Sequence, residues 1–310
     1  MPGVRRSGRS HEGAGRLYPI PPWKMAIYPP AIRGWRSSVA SMDQPIGLAV
    51  GEPDLAVARL RDYLVASIEA APAFDAPFYH LVLDCFFPED AYAAMLANMP
   101  TAADYRPMHG RSKVLDLADG THTRVKVDLF PEYVRHLPPE KRVVWDAVGR
   151  ALCAPAVRAA FVRRLAPALQ RRFGRHYDRV SMFPTPVLTR DIHGYLIAPH
   201  TDTKWKGITV QLYLPRDRSI AHVGTIFHEQ LAEGGLARRK QMAFAPNTGY
   251  AFAVGIDTWH SADAVGPEVT TRDSILLTYF VDAGPLRYLR NRGKRFGNFA
   301  LSELRNLGLG

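Results

Sequence analysis

Two textures of apolar spacing divide the chain. From Asp54 onward, Val57, Leu60, Leu64 and Ile68 recur at three- and four-residue intervals, the period of a helix with one buried face. Asp54 is placed to cap that helix. "FYHLVLDCFF" (78–87) reads as a strand, and "PEDAYAAMLANMP" (88–100) as a short helix opened by proline and two acids and closed by proline. Residues 139–173, dominated by Ala, Leu, Val and Arg, are helical again. Beyond about residue 178 the period shortens. Alternating or β-branched runs appear at 179–190, 194–199, 207–214, 221–227, 241–245, 249–255, 258–262 and 273–281, separated by Gly, Pro and Asp. Such a series predicts a jelly roll or a related barrel. The expected fold is mainly β with α: a helical, mixed part over 42–178, packed in one domain with a β core over 179–285, then a basic tail over 286–310.

Composition refines this picture at the N-terminus. The 310 residues are 47% hydrophobic, enough for a substantial core. No apolar run is long enough to cross a bilayer, so a soluble protein is expected. Cys85 and Cys153 form no disulfide or zinc pattern and suit a reducing, cytoplasmic setting. Residues 1–41 are rich in Arg, Gly, Pro and Ser, and hold seven basic residues against Glu12 alone. They cannot bury enough surface to fold alone, so they are read as disordered, or as the product of a start codon assigned upstream of Met42. Their prolines oppose the amphipathic helix that a transit peptide needs.

The formal charge of +11 draws about half its value from that segment. Elsewhere two basic clusters stand out: Arg163, Arg164, Arg171, Arg172 and Arg175, then Arg287, Arg290, Arg292, Lys294 and Arg295. Neither sits in a recognisable nucleic-acid motif, which argues against such a partner.

The chemistry gathers in the second half. His200 and Asp202 follow a strand-like run in "YLIAPHTDTKWKGITVQLYLP" (195–215), and residues two apart in extended chain share a face. A neutral imidazole and a carboxylate suit Fe(II), and a second imidazole would complete a facial triad with positions left open for substrate and O₂. The tripeptide alone means nothing, because His176-Tyr177-Asp178 repeats it after a helix end. His260, closing another strand-like run in "TWHS", supplies the candidate third ligand. Twelve residues further on, past a Gly266-Pro267 turn, Arg272 and Ser274 share a face of the next strand. A guanidinium fork with a hydroxyl is suited to a buried carboxylate. His193, His222 and His228 have no ligand-spaced partner and are read as strand-edge or loop histidines.

Five features in order, "GYLIAPHTD", "ITVQLYLP", Gly224-Thr225, "TWHS" and "RDS" (272–274), resemble the Fe(II)- and 2-oxoglutarate-dependent dioxygenases, in particular their prolyl-hydroxylase-like bacterial branch. "FYHLVLDCFFPEDAYAAML" resembles the strand and helix that precede the core in that family, so the similarity spans roughly 75–285. The resemblance implies a double-stranded β-helix (jelly roll, cupin-like), with iron held by His200, Asp202 and His260. It implies that Arg272 and Ser274 take the distal carboxylate of 2-oxoglutarate, and that Tyr213 hydrogen-bonds this cosubstrate. Strand parity then turns Gln211 and Thr209 inward with Tyr213. The implied reaction consumes O₂ and 2-oxoglutarate, releases succinate and CO₂, and hydroxylates a small molecule. A carboxylate at Asp202 opposes halogenation, since halogenating relatives carry a small residue there. Arg190 and Lys204 are candidate contacts for an anionic or saccharide-type substrate. Two alternatives stay open: an oxygenase acting on nucleic acid or protein, and a cupin-like binding module without catalysis.

Overall fold

The computed structural model of the chain describes residues 46–48, 53–108 and 116–282, with isolated positions between 284 and 304. The readings made for 1–41 and for most of the basic tail lie outside these residues.

Among the described residues, twelve strands form two sheets. The larger has the order β1 (Ala73–Phe74), β2 (His80–Leu83), β10 (Gly249–Ala253), β7 (Lys206–Tyr213), β12 (Arg272–Val281), β5 (Met182–Asp191), β4 (Arg124–Asp128) and β3 (Arg106–Pro107). The smaller has the order β6 (Ile197–His200), β11 (His260–Ala262), β8 (Ile226–Gln230) and β9 (Leu236–Gln241). All pairings are antiparallel. From β5 to β12 the chain alternates between the sheets, except that β8 and β9 form a hairpin within the smaller one; this is the sequence of a double-stranded β-helix, so the expected fold class holds.

The larger sheet is covered on both faces, which is why β7 and β12 read as near-continuous buried runs. Ile208, Val210 and Leu212 of β7, with Ile275, Leu277 and Tyr279 of β12, join the core shared with the helices. The alternate positions Tyr213, Tyr250 and Phe252 face the space between the sheets and pack with Phe78, Phe227 and Phe244. Helix α1 (Pro53–Ala70) buries Leu60, Leu64 and Ile68 against α4 (Pro139–Leu152) and α5 (Pro155–Arg164). Each such side chain contributes about 2 kcal/mol. Helices α2 (Glu89–Ala97), α3 (Pro131–Val134) and α6 (Ala166–Phe173) complete the layer.

Several boundaries differ from expectation. Asp54 lies inside the first turn of α1, where it suits the helix dipole and pairs with Arg150 at 2.5 Å. The helical stretch 139–173 is three helices, because Pro155 and Pro167 each restart it near a first turn. The strand expected at 221–227 begins only at Ile226, after a short 3₁₀ turn over Ala221–Val223. The run at 241–245 is not a strand. Its place is taken by the polar β9, joined to β8 through a turn with Gly234 and Gly235 at φ 92° and 87°. Gly224 is forced by contact, since a Cβ there would sit 1.5 Å from the Met242 carbonyl oxygen.

Candidate functional site

His200 ends β6 and His260 begins β11, and the antiparallel register sets them directly opposite each other. Their ring centroids are 4.3 Å apart. His200 Nδ1 donates to the Ala198 carbonyl at 2.9 Å, and His260 Nδ1 to the Thr258 carbonyl at 3.0 Å. A carbonyl only accepts, so each ring carries its proton on Nδ1 and its lone pair on Nε2. Two imidazoles held in one tautomer by their own strands are arranged as metal ligands.

Asp202 leaves the end of β6 and turns back into the same space. Among the described residues, His200, Asp202 and His260 form a potential ligand group whose ligating atoms all lie within 4.8 Å of one another. His176 and Asp178, the competing repeat, lie in and beside an exposed 3₁₀ turn and join no such group among the described residues. Asp202 Oδ1 accepts from Lys206 Nζ at 2.5 Å and Oδ2 from Thr209 Oγ1 at 2.6 Å. Burial alone would raise its pKa, but the Lys206 ammonium and these hydrogen bonds outweigh it and hold the carboxyl well below the usual range. Two neutral nitrogens and one ionised carboxylate fit a divalent iron ion.

The triad opens onto a cavity between the sheets, whose lining includes Arg124, Lys206, Thr209, Gln211, Tyr250 and Arg272. Arg272 is 1% exposed. Its Nε donates to the Val223 carbonyl at 2.7 Å and its Nη1 to Asp191 Oδ2 at 2.6 Å. Asp191, itself fully buried, also accepts from Arg124 Nε at 2.5 Å and Nη2 at 2.8 Å.

The other expected residues fall into two groups. Thr209, Gln211 and Tyr213 do point between the sheets, as parity required. Gln211 accepts from Tyr250 Oη at 2.8 Å and donates to Ser274 Oγ at 3.1 Å. Tyr213 Oη donates to Thr225 Oγ1 at 3.0 Å, and the Thr225 hydroxyl donates in turn to Tyr250 Oη at 3.1 Å. Tyr213 and Ser274 lie one layer behind the cavity wall, Ser274 also bonded to Thr189 at 3.0 Å. Burial raises the phenol pKa of both tyrosines, so both stay protonated donors.

Arg190 and Lys204 are not brought to the cavity. Arg190 forks onto Asp273 at 2.7 and 3.2 Å, and Lys204 is exposed beside the Trp205 ring. Lys206, two residues on, is the lysine that enters the site. Sequence reasoning also missed Arg124, which sits in a short strand outside the eight expected ones.

The basic cluster of residues 163–175 is largely built into the fold. Arg163 pairs with Glu69, Arg164 donates to the Ala71 carbonyl, and Arg172 donates to three carbonyls beside the site. Of the second cluster, Arg295 pairs with Glu132, and Arg287, Arg290, Arg292 and Lys294 lie outside the described residues.

No protein-family model matches the sequence, and no curated protein matches it. Solved structures do resemble the fold. A prolyl-4-hydroxylase from Pseudomonas putida aligns over 71% of this chain and 98% of its own at 14% identity, with a TM-score of 0.41. A 2OG-Fe(II) oxygenase family protein from Burkholderia pseudomallei aligns over 71% and 89% at 16% identity, with a TM-score of 0.40. The non-heme alpha ketoglutarate dependent epimerase SnoN from nogalamycin biosynthesis aligns over 71% and 82% at 13% identity, with a TM-score of 0.41. These likenesses are too distant to carry residue roles across.

Proposed function

We propose that the chain is an Fe(II)- and 2-oxoglutarate-dependent oxygenase that hydroxylates a small molecule. The observation that carries this reading is the convergence of His200, Asp202 and His260 within 4.8 Å at a cavity whose wall also holds the buried Arg272. His200 and His260 would bind iron through Nε2 and Asp202 through a carboxylate oxygen. Arg272 would take the distal carboxylate of 2-oxoglutarate, with Gln211 and Tyr250 forming the polar wall beside it. When bound, iron with 2-oxoglutarate and O₂ supplies the oxidising power, releasing succinate and CO₂ as a hydroxyl is added to the substrate. The protein's own work is to fix the imidazole tautomers, keep Asp202 ionised through Lys206 and Thr209, and exclude bulk water behind aromatic walls.

A small molecule is favoured over a macromolecule on one ground. Arg164 and Arg172 are spent on internal carbonyls and Arg163 on Glu69, which leaves them poorly placed to grip a polyanion. The chain from 42 to 285 acts as one domain in this reading, since the helices share their core with the larger sheet. Cys85 and Cys153, as thiols outside any disulfide, suit the cytoplasm, and among the described residues no helix is long and apolar enough to cross a membrane.

The test is anaerobic addition of Fe(II) and 2-oxoglutarate. A weak visible charge-transfer band is expected, followed by iron-dependent succinate release in air. Both should disappear in His200→Ala and His260→Ala, and succinate release that persists in both variants would end the proposal.

A further inference from the structure

Three buried ionic side chains lie in one row across the larger sheet. The register sets Arg124 of β4 and Arg272 of β12 opposite the same residue of the strand between them, Asp191. Asp191 receives both guanidiniums, at 2.5 and 2.8 Å from Arg124 and 2.6 Å from Arg272. Relative exposures are 7% for Arg124, 0% for Asp191 and 1% for Arg272. Arg124 also stacks over the Tyr195 ring at 4.2 Å, while Arg272 lies 5.0 Å from the Phe244 ring centroid. The neighbouring ionic groups are matched elsewhere: Asp202 faces Lys206, and Asp273 faces Arg190. Two guanidiniums sharing one carboxylate therefore retain one positive charge, in surroundings where a lone charge is costly. Both arginines line the cavity.

Without Arg124, Asp191 would cancel Arg272, and an arriving dianion would meet a neutral pair with its negative end forward. With Arg124 present, Asp191 is already matched and the charge of Arg272 remains available. We propose that Arg124 determines cosubstrate specificity, neutralising Asp191 so that Arg272 can select a 2-oxo acid that ends in a second carboxylate. This rests on the reading of the site as a 2-oxoglutarate site and deepens it.

The experiment is calorimetric titration of the Mn(II)-loaded, full-length protein with 2-oxoglutarate, and with 2-oxobutanoate, which lacks the distal carboxylate. Arg124→Met is expected to weaken 2-oxoglutarate binding on the order of 10- to 100-fold, as loss of a buried charge partner does, and to leave 2-oxobutanoate binding unchanged. Adding Asp191→Asn to Arg124→Met should restore 2-oxoglutarate affinity, because Arg272 is then released. A merely structural Arg124 predicts no such rescue. Asp191→Asn alone, which keeps both guanidiniums, should bind 2-oxoglutarate more tightly than the unaltered protein and serves as the deciding variant if Arg124→Met does not fold. Unchanged affinity in Arg124→Met, an unrescued double variant, or weakened binding in Asp191→Asn each overturns the inference. An unaltered protein that binds no 2-oxoglutarate overturns the functional proposal instead.

Discussion

Arg172 Nη1 lies 2.5 Å from the carbonyl oxygen of Val254, across the gap between a helix and the loop that leads to His260. The same guanidinium donates to the carbonyls of Lys206 at 2.6 Å and Lys204 at 2.7 Å, in the segment that follows Asp202. One side chain on α6 thus ties together the segment that follows Asp202 and the segment that leads to His260. Arg172→Ala is expected to cost about 2–4 kcal/mol, since three charge-assisted bonds are lost together, and to weaken Mn(II) binding several-fold. Arg171→Ala, at the exposed neighbouring position, should change neither. Urea denaturation and a Mn(II) binding isotherm read both effects, and equal behaviour of the two variants would contradict the tether.

Gln211 and Tyr250 should be energetically coupled. Tyr250→Phe leaves the Gln211 carbonyl oxygen without its 2.8 Å donor, and Gln211→Leu leaves both Tyr250 and Ser274 short of a partner. Each single change is expected to cost about 1–3 kcal/mol, the penalty of an unmet buried polar group. The double variant removes both partners of the shared bond, so its cost should fall below the sum of the singles by about 1 kcal/mol. Additive losses in thermal or urea unfolding would mean that the two groups do not share a bond in solution.

His80 gives the fold an acid sensitivity. Its ring is fully buried among Phe74, Phe78 and Phe227. Nδ1 donates to the Phe78 carbonyl at 2.8 Å, so Nε2 accepts from Lys240 Nζ at 3.0 Å. Burial is the main cause that lowers its pKa to about 4, with the Lys240 charge acting in the same direction. The folded protein therefore binds fewer protons at this site than the unfolded chain between the ordinary histidine value and about 4. Stability is retained above pH ~6.5 and falls as pH drops through that window, by on the order of 3 kcal/mol. His80→Leu should flatten the slope of unfolding free energy between about pH 6.5 and pH 4, and an unaltered slope would assign the acid sensitivity to other groups.

What could be read in advance follows burial on the two faces of each strand. β7 and β12 are covered on both sides, so their apolar runs were plain, and parity correctly turned Thr209, Gln211 and Tyr213 inward. The convergence of His200 and His260 was legible because both sit at strand ends in a distinctive local sequence. β9 was not, because a strand with one neighbour has little to bury, and Arg238, Arg239 and Lys240 erase any apolar rhythm. Arg124 was hidden for a related reason. "RVKVD" looks like a strand with one wet face, and only the closed sheet reveals that Arg124 lies beside Asp191 rather than in solvent. That Lys206 turns inward to Asp202 was not legible, because a loop such as "TDTKWK" has no period and spacing cannot say which lysine points in.

The rim strand β9 has a consequence for how the molecule behaves among its own copies. Its outward backbone groups would be a template for pairing with a foreign strand. Arg238 bonded to Asp263 and Arg239 bonded to Glu229 put long, hydrated ions along that border. A neighbour seeking to extend the smaller sheet would have to strip water from them, so fibre-like growth from this side is disfavoured.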